Sequence, residues 1–150
     1  MSLKEWLENG WLTEHQTDSQ EIADLLAVTD RDIRDCRTAQ TAGLSSDWQL
    51  NIAYNAALQV ATAALAATGY RASREAHHYR VIQSLAYTIR ANAKVVTQLD
   101  QFRKKRNISD YERAWTVSDQ EVKEMLSLAE NLSASVRKWL RVNHPELVQE

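Results

Sequence analysis

Three glycines and a single proline in 150 residues leave this chain few places to turn. Strands joined by tight turns need those residues, because they alone reach or preset the required backbone angles at little cost. Usage this far below the ordinary level points to long helices joined by short connections. The fold expected is all-α: an up-and-down antiparallel bundle of about five helices. The length suits one domain over 1–150, with 1–17 as an N-terminal extension.

The apolar spacing supports helices segment by segment. A short helix runs from Ser2 to Glu8 and is closed by Asn9-Gly10. A second starts near Asp18, with Glu21 placed for a capping box, and presents Ile22, Leu25, Leu26, Ile33 and Cys36 inward before Gly43 ends it. The third has the clearest stripe: Leu50, Ala53, Tyr54, Ala57, Leu58, Ala61, Ala64 and Leu65, ended by Gly69. Its alanines allow close approach of a neighbour. A fourth is expected from a Ser73 cap to about Ala91, with Ile82, Leu85, Ala86 and Ile89 inward. A fifth, or a continuation of the fourth, carries Val95, Leu99, Phe102 and Arg106. The last opens on a Ser118–Glu121 capping box, buries Val122, Met125, Leu126, Ala129, Leu132, Val136 and Leu140, and stops at Asn143-His144-Pro145.

Charge and cysteine usage limit the function classes. The net charge of −2 gives no global field toward nucleic acid, so any anion contact must be local. Cys36 is alone, which excludes an intrachain disulfide or thiolate cluster and fits a reduced, cytoplasmic setting; it reads as a small packed hydrophobe. No apolar run is expected to span a membrane, and Lys4, Glu5 and Glu8 interrupt any signal-peptide pattern. There is no Gly-rich phosphate loop, nucleophile elbow or His-Glu-x-x-His, and no cofactor or metal site is expected. His77 and His78 point about 100° apart on a helix and suit structural or surface roles better than joint ligation. His15 has no neighbours of interest, and Asp32 and Asp35 read as a solvated face. Of the scattered tryptophans, Trp115 and Trp139 could anchor a partner chain.

The chemistry concentrates in Arg103-Lys104-Lys105-Arg106-Asn107-Ile108-Ser109-Asp110-Tyr111. Four consecutive cations close a helix, where they either complement its dipole or contact a phosphate backbone. Arg106 differs from its neighbours because it continues the apolar stripe through Phe102 and Leu99. A guanidinium there pairs with an internal carboxylate or faces a pocket that receives an anion. Asn107 offers donors and acceptors beside it, and the Tyr111 hydroxyl could enter the same pocket or form an aromatic lid.

An all-helical chain with Arg106-Asn107, three residues and then the aromatic Tyr111 resembles the HEPN superfamily, the higher eukaryote and prokaryote nucleotide-binding domains. Tyr54-Asn55-Ala56-Ala57-Leu58-Gln59 and His77-His78-Tyr79-Arg80-Val81-Ile82-Gln83 resemble prokaryotic members as well, so the likeness covers Asp18 to Glu146. The resemblance implies a bundle of about five helices and a homodimer whose two motifs face one cleft. It also implies RNA or nucleotide as ligand, and a toxin-antitoxin setting. In members that are metal-independent ribonucleases, the arginine steadies the scissile phosphate, a histidine further on handles protons and the ribose 2′-hydroxyl attacks. Other members are non-catalytic and partner a minimal nucleotidyltransferase. Carried over, Arg106 is the motif arginine, Asn107 its polar follower, and Tyr111 stands where histidine is expected; Arg103, Lys104 and Lys105 would contact nucleic acid. A phenol with a pKa near 10 donates hydrogen bonds but is a poor base at neutral pH, so the substitution argues against catalysis.

Overall fold

The structure is a computed structural model and describes residues 1–107 and 116–148. Within these, α1 spans Leu3–Glu8, β1 Leu12–Glu14, α2 Ser19–Ala42, α3 Ser46–Ala67, β2 Tyr70–Ala72, α4 His77–Ser84, α5 Ala93–Arg106 and α6 Asp119–Asn143, followed by a 3₁₀ turn at Pro145–Leu147. The architecture is the expected all-α bundle. α3 lies at its centre and packs along both α2 and α6.

Local chemistry explains most boundaries. Asp18 accepts a hydrogen bond from the Glu21 backbone N–H, and Gly43 ends α2 in the left-handed conformation (φ 73°). Ser118 and Glu121 form the reciprocal capping box of α6. All eight residues of the α3 stripe are buried, together with Ala56, Val60 and Ala63 from beside it. Alanine on several faces lets α2 and α6 close onto one helix at once.

Six expectations change. First, α3 is long and apolar enough to cross a membrane by length and composition, contrary to the reading of the sequence; in the fold most of it is buried by protein. Second, residues flanking Gly10 and Gly69 form a two-stranded antiparallel sheet, with Leu12 opposite Ala72, Thr13 opposite Arg71 and Glu14 opposite Tyr70. It ties the N-terminal segment to the bundle, and Leu12 and Ala72 are buried beneath it. Third, Ser73 caps no helix, since its hydroxyl donates to the Gly10 carbonyl and its N–H to that of Trp11. Ala76 precedes α4 instead, in a left-handed conformation (φ 54°, ψ 37°). Fourth, α4 ends at Ser84, and tight turns reach Arg90, also at positive φ (58°). Asn92 then caps α5 by accepting from the Lys94 N–H, so α4 and α5 are separate helices. Fifth, the Glu21 carboxylate accepts from the Thr17 hydroxyl at 2.6 Å and meets His15 Nε2 at 2.7 Å, so His15 does have a neighbour of consequence.

Asp32 is also not part of a solvated face. It is 5% exposed, and its carboxylate accepts from Arg31 and from the Asn55 amide. A buried carboxylate persists only when its oxygens are occupied in this way.

Candidate functional site

The basic end of α5 is organised by the face each residue occupies. Val96, Leu99 and Phe102 are buried against the core, and Val95 is half-buried. Arg106 extends that face, and its guanidinium carbon lies 5.3 Å from the ring centroid of Tyr54, which is 1% exposed. The cation therefore covers the ring of a core tyrosine at the end of the bundle, where the negative ring face attracts it.

The other three cations are engaged nearby. Arg103 Nε donates to Asp100 Oδ1 at 2.7 Å, and Lys104 Nζ stands 3.6 Å from Asp100 Oδ2. Lys105 pairs with the Glu121 carboxylate, which also serves the capping box of α6. Much of the run is thus neutralised within the protein, and only Lys104 of the four is an exposed side chain. The Asn107 N–H closes the helix on the carbonyls of Arg103 and Lys104. Tyr111 lies outside the described residues, as does Trp115. Trp139, the other suggested anchor, is half-buried with its ring centroid 5.0 Å from that of His144.

Across from α5, the start of α4 supplies two imidazoles. His77 Nδ1 lies 3.1 Å from the Ala72 carbonyl and 3.2 Å from that of Ser73, so this nitrogen carries the hydrogen. His78 Nδ1 lies 3.4 Å from the Tyr54 hydroxyl. Burial holds the His78 pKa below its ordinary 6.5, and the nearby charges of Arg106, His77 and Arg103 act in the same direction. Burial also pushes the Tyr54 phenol up to about 12, against the opposing pull of Arg106 and Arg103. At neutral pH the cluster therefore holds a neutral imidazole, an un-ionised phenol and a fixed cation. A recess of about 420 Å³ opens beside it, lined by Ala76, His77, His78, Tyr79, Arg103 and Asn107.

Of the residues singled out in the sequence, the recess brings together Arg103 and Asn107, with Arg106 close behind across Tyr54 and His78. Lys104 and Lys105 do not line it. Sequence reasoning missed Tyr54 and His78 as members of this cluster. A hydroxyl on a core stripe needs a polar partner, and that is the signal that could have drawn attention to Tyr54. Nothing local points from position 54 to position 78.

Fold and site together define an all-helical domain with a cationic helix end set over a buried tyrosine and a half-buried histidine. Residues 16–139 match the HEPN domain, which takes in α2 through most of α6. The chain belongs to the HEPN domain family, a class of nucleotide- and RNA-related helical modules. No curated protein matches it in sequence.

Proposed function

We propose that this chain binds a phosphate-bearing ligand, RNA or nucleotide, in the recess between the start of α4 and the end of α5. The observation that carries this reading is the position of the Arg106 guanidinium. It lies on the ring of Tyr54 and near His78, and His78 lines the open recess. Partial withdrawal of this guanidinium from water strengthens its attraction for an anion. Arg103 and Asn107 supply further donors on the same turn.

The same cluster supports metal-independent ribonuclease chemistry as a finer reading. Transfer of the ribose 2′-hydroxyl proton needs a neutral base near neutral pH, and His78 meets that requirement while Arg106 faces the phosphate. A toxin role and a homodimer with facing recesses belong to this reading. The alternative is a non-catalytic module that partners a nucleotidyltransferase. Leu44 and Trp48, 48% and 59% exposed at the α2–α3 connection, favour a protein contact at that end.

Titration calorimetry with UMP as the probe tests the central reading. Wild type binds, and Arg106→Gln loses about tenfold in affinity, the value of one charge-assisted hydrogen bond. Equal binding by both proteins ends the proposal. Incubation of single-stranded RNA without divalent ions separates the finer reading from its alternative. Cleavage that His78→Gln abolishes supports catalysis, and its absence in wild type leaves the binding module.

A further inference from the structure

Arg80 is a second cation built into the same end of the molecule. Its guanidinium carbon stands 3.7 Å from the Trp11 ring centroid, 5.5 Å from that of Trp6 and 5.3 Å from that of Tyr79. Trp6 is held in turn edge-on against Trp11 (6.0 Å) and Tyr87 (5.2 Å). Among the described residues no carboxylate or hydrogen-bond acceptor takes up its N–H groups. Arg80 is only half-exposed, so its faces are covered by aromatic rings while its edges lack a partner. That is an unusual state for an arginine with Glu75 in the preceding loop and carboxylates elsewhere on the surface. Stacking fixes the plane of the fork in advance, which reduces the ordering cost when an oxyanion binds.

The position of Arg80 gives it a ligand. The Tyr79 ring is shared with Arg103, whose guanidinium carbon is 5.4 Å from the same centroid. Tyr79 lines the recess with His77, His78, Arg103 and Asn107, so Arg80 stands one ring away from it. Two cations that share one aromatic neighbour beside a recess match a ligand with several phosphates in series. A nucleoside monophosphate could satisfy only one of them.

We propose that Arg80 is a phosphate-binding residue, and that the ligand is a single-stranded RNA whose backbone runs past Tyr79 from the Arg103–Arg106 turn to the Trp11–Arg80 stack. This inference rests on the proposed function for the first phosphate and adds the second contact, which makes the ligand a strand. Aromatic rings interleaved with cations are the usual means of holding single strands.

Fluorescence anisotropy of the full chain with a fluorescein-labelled oligouridylate, alongside calorimetry with UMP, provides the test. Wild type is expected to hold the oligomer at least tenfold more tightly than UMP, about 1.4 kcal/mol. Arg80→Gln should weaken oligomer binding about tenfold, lower the salt slope by about 0.7, and leave UMP binding within about twofold. Arg80→Lys, which keeps the charge and the stacking stem but not the fork, should retain the slope and lose about threefold in affinity. Oligomer binding by Arg80→Gln within twofold of wild type, with an unchanged slope, overturns the inference. So does displacement of the oligomer by oligoglutamate at equal concentration, which would assign Arg80 to an acidic protein partner. Should Arg80→Gln fail to fold, wild-type oligomer affinity in Arg80→Lys is the refuting result. UMP binding through Arg106 with no gain for the oligomer defeats this inference and leaves the proposed function standing. Full UMP and oligomer binding in Arg106→Gln, with loss only in Arg80→Gln, does the reverse.

Discussion

Replacing Arg106 with methionine separates the two roles that its position allows. Methionine keeps an unbranched apolar side chain over Tyr54 and removes the charge. The cation over the ring contributes about 1 kcal/mol at a half-exposed site, so the thermal midpoint should fall by about 2–4 °C. A larger effect is expected on His78. Burial is the main cause of its lowered pKa, and Arg106 is the next. Without that charge the His78 pKa rises toward 6.5 but stays below it, because burial, His77 and Arg103 remain. The consequence for stability has a definite sign. The folded state holds His78 below its ordinary value, so the unfolded chain binds more protons between the two values. Stability contributed by neutral His78 is complete above that window and declines as pH falls through it. In Arg106→Met the window narrows and the decline is smaller. Ring-proton NMR titration, with His78→Gln to assign the signal, measures the shift directly, and melts across pH 4.5–7.5 measure its effect on folding. An unchanged His78 titration would refute the geometry on which the site is built. A midpoint lower by more than about 10 °C would instead mark Arg106 as a buried structural ion, whose loss costs about 3 kcal/mol or more.

Other residues give independent checks. Asn55→Ala leaves one oxygen of the buried Asp32 carboxylate without its donor, at a cost of about 2 kcal/mol and about 4–8 °C in a thermal melt; a shift below about 1 °C would show that water replaces the amide. Cys36 is fully buried with its thiol pushed up to about 11 by burial, so it should resist Ellman's reagent at pH 8 in the folded protein and react fully in guanidinium; rapid labelling of the native state would contradict its placement. Ala76→Gly should stabilise the protein by about 1 kcal/mol, read from urea unfolding, because the exposed alanine sits in a left-handed conformation that glycine adopts freely; a loss of stability would mean that the α3–α4 connection is built differently.

The helices were readable because their determinants lie within one or two turns of sequence. The α3 stripe, the Gly43 terminator and the Ser118–Glu121 box each need only neighbours three or four residues away, and each is present. Ser73 misled because serine caps helices and also closes loops, and the choice depended on the Gly10 carbonyl 63 residues earlier. Asp32 misled for the same reason: its partner Asn55 stands 23 residues away on another helix. The candidate site divides along the same line. Arg106 was visible as a cation on an apolar stripe, a local pattern. Its surroundings were not, because Tyr54 comes from α3, His78 and Arg80 from α4 and Trp11 from the turn before β1, and they meet only where the bundle and the short sheet bring them together. Tyr111, which the sequence places downstream of Arg106, lies outside the described residues. In the fold, the nearest imidazole reaches Arg106 from upstream, on α4. Packing of α4 on α3 and α5 sets His78 beside Tyr54, and no pattern within one or two turns of Arg106 signals it.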